Sequence, residues 1–127
     1  MNAPLPSLIA AVLTLWAAIP AAAEGDSARG ANVFRQCVAC HTTTLQNRIG
    51  PGLADIVGRK AGANAGFRYS AGMQKVDLVW DVPTLDAYLA APRAVVPAST
   101  MSLAVTNPQE REDLIAYLQT LRSVPAN

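Results

Sequence analysis

The only two cysteines and the only histidine of this 127-residue chain stand within five positions, Cys37-Val38-Ala39-Cys40-His41. On a helix, residues three and four apart share a side, so both sulfurs and the imidazole would face the same way. That grouping restricts what the chain can be built around. A disulfide between Cys37 and Cys40 would close a tiny loop and stabilise little. A thioredoxin-type redox pair belongs to a βαβ unit, and no such pattern is visible. A structural zinc site needs four ligands, and there is no second Cys/His pair to supply them. The fourth reading is covalent attachment of a c-type haem, each thiol adding to a porphyrin vinyl group while the adjacent imidazole reaches the iron. The five residues favour this reading without closing the other three.

The N-terminal stretch adds to it. Residues 1–23 contain no charged side chain, and Leu8 to Ile19 form a continuous apolar run, followed by Pro20 and Ala21-Ala22-Ala23. A membrane-spanning helix needs about 20 apolar residues. The shorter run, with small residues at Ala21 and Ala23, suits a signal peptide cut before Glu24. The expected organisation is therefore a cleaved leader, residues 1–23, and one domain, residues 24–127, exported to the periplasm. The segment before the apolar run departs from the usual signal peptide in having no Lys or Arg. Oxidising compartments of this kind are also where haem is attached.

Charge and composition exclude other classes. Ten Lys and Arg against nine Asp and Glu, with 15% charged residues, leave no polybasic nucleic-acid arm, acidic tail or charge-rich disordered segment. At 6% aromatic residues there is no base-stacking surface either. A domain of roughly a hundred residues with so few large rings has a marginal core, which calls for a staple or an interior cofactor.

Strand signals are poor, because no stretch alternates cleanly, whereas helix signals are clear. Asp26 or Ser27 can cap a helix running toward Cys40, with Val33 and Phe34 on its apolar side. Asp81 can cap a second, from Val82 to about Ala91, where Leu85, Tyr88 and Leu89 share a face and Pro92 blocks continuation. A third begins with Asn107 at the N-cap, Pro108 at N1 and Glu110 at N3, followed by the stripe Leu114, Ile115, Tyr117, Leu118 and Leu121. Between the helices lie irregular stretches rich in Gly and Pro: residues 49–52, 58–66 and 92–97. Loops of that length in a small domain imply something inside to wrap around.

Over nearly all of residues 25–121 the chain resembles a class I cytochrome c. The resemblance is carried by Gly25-Asp26, Gly30, Phe34, Cys37-x-x-Cys-His41-Thr42, Gly50-Pro51-x-Leu53 and Gly58-Arg59. It continues through Gly66-Phe67-x-Tyr69-Ser70, Trp80, Leu85, Tyr88-Leu89, Pro92, Pro97-x-Ser-x-Met101 and residues 110–118. The spacing from Gly50-Pro51 to Met101 is that of mitochondrial and c2-type members. It implies an all-α fold, three main helices plus short helices and loops wrapped around one covalent haem c. By position, Cys37 and Cys40 would carry the thioether links, His41 would be the proximal iron ligand and Met101 the distal one. The Pro51 carbonyl would receive the His41 ring N–H and orient it. Arg59, Tyr69 and Trp80 match residues that hydrogen-bond the buried propionate, and Tyr88 matches a haem contact. Gly30 and Phe34 would meet Leu114 and Tyr117 where the terminal helices cross.

The sequence departs from the family in three places. Ala98 stands where relatives usually have a glycine, Thr100 where they usually have a lysine, and Met73 where many have an asparagine near the ligand sulfur. Only two lysines occur, Lys60 and Lys75, so Arg35, Arg48 and Arg93 would form the rim of the exposed haem edge. The resemblance implies a soluble, monomeric shuttle for single electrons rather than an enzyme. Its donors and acceptors would be redox proteins such as a membrane cytochrome complex, an oxidase, a reaction centre or a dehydrogenase. No nucleic acid and no stable membrane insertion are expected. The alternatives are a dedicated electron-accepting subunit of one periplasmic dehydrogenase, or a peroxidase-like enzyme if Met101 dissociates.

Overall fold

The computed structural model describes residues 1–3 and 24–124. The apolar run and the alanines of the expected leader, and the last three residues of the expected domain, lie outside the described residues. Five helices follow in order: α1 Ser27–Phe34, α2 Ala71–Lys75, α3 Val82–Ala90, α4 Pro92–Val95 and α5 Pro108–Leu118. Among the described residues there is no strand, only one isolated antiparallel bridge between Lys60 and Val79. None of these helices is long and apolar enough to cross a membrane.

Four helices begin on a side-chain cap that accepts from an otherwise unpaired N–H. Asp26 accepts from Arg29, Ser70 from Met73, Asp81 from Thr84, and Asn107 from both Gln109 and Glu110. Prolines at the start of α3, α4 and α5 have no N–H to satisfy there. Pro92 therefore has two effects: it ends α3 and opens α4, so part of the stretch expected to be irregular is a short helix. The first helix is shorter than expected. It ends at Phe34, because from Arg35 onward the amides reach back three residues rather than four, which tightens the chain into turns.

The frame is the crossing of α1 and α5. Gly30 sits directly beneath α5, where an added Cβ would lie 2.6 Å from the Asp113 carbonyl carbon and 2.8 Å from Tyr117 Cβ. Only hydrogen fits there, which lets the backbones touch. One turn later Phe34 packs on Tyr117 with ring centroids 5.2 Å apart. At the other end Asp113, nearly fully buried, accepts from Arg29 Nε at 2.8 Å, Arg29 Nη2 at 3.0 Å, the Asp26 N–H at 2.8 Å and Gln109 Nε2 at 3.1 Å. Donation by the Arg29 guanidinium, then by the Asp26 amide, holds this carboxyl far below the usual carboxylate range. Four donors on one carboxylate explain how a charge sits in the interior of the crossing.

Leu85, Tyr88 and Leu89 of α3, Val96, and Leu114, Ile115 and Leu118 of α5 complete the core with Phe34 and Trp80. The segments before and after the bridge pair through Gly58 N–H to Trp80 O at 2.9 Å, Trp80 N–H to Arg59 O at 2.9 Å and Ala61 N–H to Leu78 O at 3.0 Å. That pairing sets Arg59 and Trp80 side by side.

The position that departs from the family's glycine keeps a glycine's geometry: Ala98 has φ of +61°. A non-glycine residue there costs about 1–2 kcal/mol, partly offset because glycine loses more entropy on folding. Ala98→Gly is therefore expected to stabilise the protein by about 0.5–1 kcal/mol, read as a higher denaturant midpoint at unchanged slope.

Candidate functional site

Cys37 ends the tightened turn after α1, its N–H bonded to Phe34 O at 2.8 Å. Its own carbonyl then accepts from Cys40 at 3.1 Å and His41 at 2.9 Å, so one helical turn carries all three residues of the motif. No disulfide joins the two sulfurs. Both cysteines and His41 line a single cavity of about 520 Å³, within the range typical of cofactor pockets. Burial pushes the Cys37 thiol up, so it rests protonated at neutral pH.

His41 is held from behind. Its Nδ1 lies 2.7 Å from the Pro51 carbonyl, which can only accept, so Nδ1 carries the proton and Nε2 keeps its lone pair. Burial pushes the imidazole below its ordinary value, the Pro51 bond opposing, and the ring is neutral at pH 7. An oriented neutral imidazole of this kind is what a metal ligand requires. Gly50 lies flat against the ring, where an added Cβ would stand 2.7 Å from Nδ1 and 2.9 Å from Nε2.

The other sequence-predicted residues come to the same cavity. Arg59, Tyr69, Trp80, Tyr88 and Met101 all line it. Pro51 does too, acting through its carbonyl. The half-buried Arg59 guanidinium donates to Gly52 O at 2.9 Å and Ala54 O at 3.0 Å, and among the described residues no carboxylate stands within ion-pair distance of it. An unneutralised cation in an apolar cavity fits a cofactor that brings its own carboxylates. Trp80 is buried beside Tyr88, ring centroids 4.8 Å apart. Met73 lines the cavity as well, so position alone does not choose between the domain's two methionines. Met101 stands on extended loop while Met73 is fixed within α2.

Two sets of contacts around the site escaped sequence reasoning. The buried Ser99 donates from Oγ to the Met101 carbonyl at 3.3 Å, which leaves the Tyr88 hydroxyl as donor to Ser99 Oγ at 2.8 Å. The Met101 loop is thus tied to α3 through two hydroxyls. The hydroxyl of Ser99 was legible in the sequence; its partner was not. Asn64, also buried, donates from Nδ2 to Asn47 Oδ1 at 2.5 Å and to Leu45 O at 3.2 Å, while its N–H donates to Tyr69 Oη at 3.0 Å. Nothing in a single sequence marks these asparagines, since such residues are ordinary in loops rich in glycine.

These donors fit a haem: two thiols and a neutral imidazole on one turn, a thioether on a loop, an unpaired guanidinium, and an apolar cavity of suitable size. Comparison with known proteins agrees. The model of the cytochrome c family matches residues 27–122. Cytochrome c2 of Rhodomicrobium vannielii is 45% identical over 109 residues, covering 84% of this chain and 86% of the relative. Cytochrome c2 iso-2 of Magnetospirillum fulvum is 46% identical over 90 residues, covering 69% and 94%. Among solved structures, cytochrome cH from Methylobacterium extorquens superposes with a TM-score of 0.73 at 39% identity, covering 76% of this chain and 99% of that one. With the motif, the fold and these relatives in agreement, the chain belongs to the cytochrome c family, as a class I electron-carrier cytochrome with one haem c.

Proposed function

We propose that residues 24–127 form a periplasmic shuttle for single electrons, released from a cleaved leader, whose haem iron would be held by His41 and Met101. When bound, the haem supplies a one-electron Fe(III)/Fe(II) couple, and thioether ligation favours the reduced form relative to a second imidazole. Everything else is the work of this chain's residues. Cys37 and Cys40 would hold the porphyrin by thioether links, and Pro51 fixes the His41 tautomer and ring plane. Arg59, Tyr69 and Trp80, which line the cavity, would receive the buried propionate. Tyr88 and Ser99 restrain the loop that carries Met101, which limits movement between redox states and so favours rapid exchange. The observation that carries this reading is that Met101, far along the chain from the Cys37–His41 motif, lines the same apolar cavity as Cys37, Cys40 and His41.

With both His41 and Met101 holding the iron, no position would be left for a substrate, and the haem would serve exchange with redox proteins. Donors and acceptors of the kinds expected from the family fit such a carrier. A reading as the dedicated acceptor subunit of one dehydrogenase has the same chemistry and differs only in partner.

Expression in a host able to attach haem c is expected to yield a red protein. Its intact mass should equal the chain from Glu24 onward plus one porphyrin, and its ferric form should show the far-red charge-transfer band of a methionine–iron bond. A colourless folded product, or a mass without porphyrin, overturns the haem assignment. A coloured protein lacking the far-red band at neutral pH overturns Met101 as ligand, and a retained leader overturns the organisation.

A further inference from the structure

Asp55 is one of two non-glycine residues, among those described, with a positive φ, at +56°. Such a conformation persists where its surroundings hold it, and here the hold comes from outside the turn. The Asp55 N–H donates to Leu121 O at 2.8 Å, and its carboxylate accepts from the Ser123 N–H at 3.1 Å and from the Ser123 hydroxyl. Donation by the Ser123 hydroxyl, then by its amide, keeps the Asp55 carboxyl below the usual carboxylate range, so it is charged at neutral pH. Leu121 and Ser123 belong to the segment that leaves α5, anchored by Gln119 N–H to Ile115 O at 3.0 Å and Leu121 N–H to Leu118 O at 3.1 Å. Three bonds therefore fasten residue 55 to the end of the frame helix. Arg122 adds little, since its exposed guanidinium stands 3.9 Å from the Asp55 carboxylate.

What this latch holds is the turn around Arg59. Arg59 donates from Nη2 to Gly52 O at 2.9 Å, from Nη1 to Ala54 O at 3.0 Å and from its N–H to Ile56 O at 3.1 Å. Asp55 stands between the last two of these acceptors. The Asp55 N–H and the Ala54 carbonyl are opposite edges of one planar peptide unit. The bond to Leu121 O on one edge thus aims the other edge at the guanidinium. Glycine would take the positive φ more easily but has no carboxylate to reach Ser123. Aspartate gives up conformational ease for a link to the chain after α5.

Resting on the reading that Arg59 receives a haem propionate, we propose that Asp55 and Ser123 are positioning residues for Arg59, a latch from the end of α5 that fixes the 54–55 peptide plane and, through it, the guanidinium. The direction of the expected change separates this role from plain electrostatics. Loss of the latch lets the guanidinium draw away from the propionate, and the less compensated negative charge favours Fe(III). Removal of the Asp55 charge by itself acts the other way, because any carboxylate near the iron favours Fe(III).

The test poises the haem-loaded protein at the midpoint potential of the unaltered chain and reads the oxidised-to-reduced ratio from the visible spectrum. Ser123→Ala, which keeps every charge, is expected to raise the ratio about threefold, as coupling within one hydrogen-bonded network implies. Ser123→Thr, which keeps the hydroxyl, returns it to about one. Asp55→Gly, which suits the positive φ and lacks the carboxylate, also raises the ratio. Arg122→Gln moves it by less than about 1.5-fold. In an Arg59→Gln background the Ser123→Ala step changes it by less than about 1.3-fold, because the residue through which the latch acts is gone. A second readout needs no change of redox state. In the ferrous protein, exchange of the Arg59 guanidinium protons with water is expected to quicken about tenfold in Ser123→Ala and to stay the same in Arg122→Gln. Unchanged exchange in Ser123→Ala, a fall of the ratio in Asp55→Gly, or an equal Ser123→Ala shift with and without Arg59 overturns the latch. Faster exchange with a ratio that neither Ser123→Ala nor Arg59→Gln moves supports the latch and overturns the placement of Arg59 at the propionate instead.

Discussion

Replacing Met101 by histidine is expected to lower the midpoint potential by about 0.2–0.3 V, a substantial part of the range that axial ligands span. The thioether sulfur is soft and favours the reduced iron, whereas a second imidazole is a stronger donor to the oxidised iron. The loop can accommodate the change, because Met101 is only half-buried and the hydroxyl chain from Tyr88 through Ser99 reaches its carbonyl rather than its side chain. Potentiometric titration of the two proteins, with spectra recorded at each step, checks both potential and ligation. An unchanged potential with the far-red band retained would show that sulfur from elsewhere, with Met73 in the same cavity, binds the iron.

The largest loss of stability is expected from Gly30→Ala, about 3 kcal/mol or more, placing it among the exceptional single substitutions. The methyl group would be driven into the Asp113 carbonyl and Tyr117 Cβ, and neither is the far end of a side chain that can rotate away. Relief requires α1 and α5 to separate. That separation would strain the donors that Arg29, Asp26 and Gln109 direct onto Asp113, as well as the contact of Phe34 with Tyr117. Alanine is otherwise a better helix former than glycine by about 1 kcal/mol, so a large loss isolates the effect of the crossing. Denaturant unfolding of the haem-loaded protein measures it, and Ala31→Gly, in the same helix, supplies the propensity control. A loss below about 1 kcal/mol would mean that the helices do not cross at this residue.

Much of the fold is legible in the amino-acid sequence. The caps Asp26, Asp81 and Asn107, with prolines behind two of them, announce helix starts through local hydrogen bonding alone, and the observed helices begin where they stand. Ends were less legible. The first helix stops at Phe34 instead of continuing toward Cys40, and Pro92 opens a short helix within a stretch that reads as loop. Ends depend on what the next residues meet in space, which the local pattern does not contain.

The site divides in the same way. Cys37, Cys40 and His41 were legible because their relation is short-range: the spacing puts three side chains on one turn whatever the rest of the chain does. Arg59, Tyr69 and Trp80 could be singled out only through resemblance to relatives, since nothing in their own surroundings announces a shared cavity. Asn64 and the partnership of Tyr88 with Ser99 were not legible at all, because each is a contact between separate loops and helices. The sequence by itself determined that two cysteines and a histidine share one turn, where the helices start and the balance of charge. Only the tertiary structure decided that Arg59, Trp80, Tyr88 and Met101 meet His41 around one cavity, because proximity between separate segments is produced by packing and has no local code.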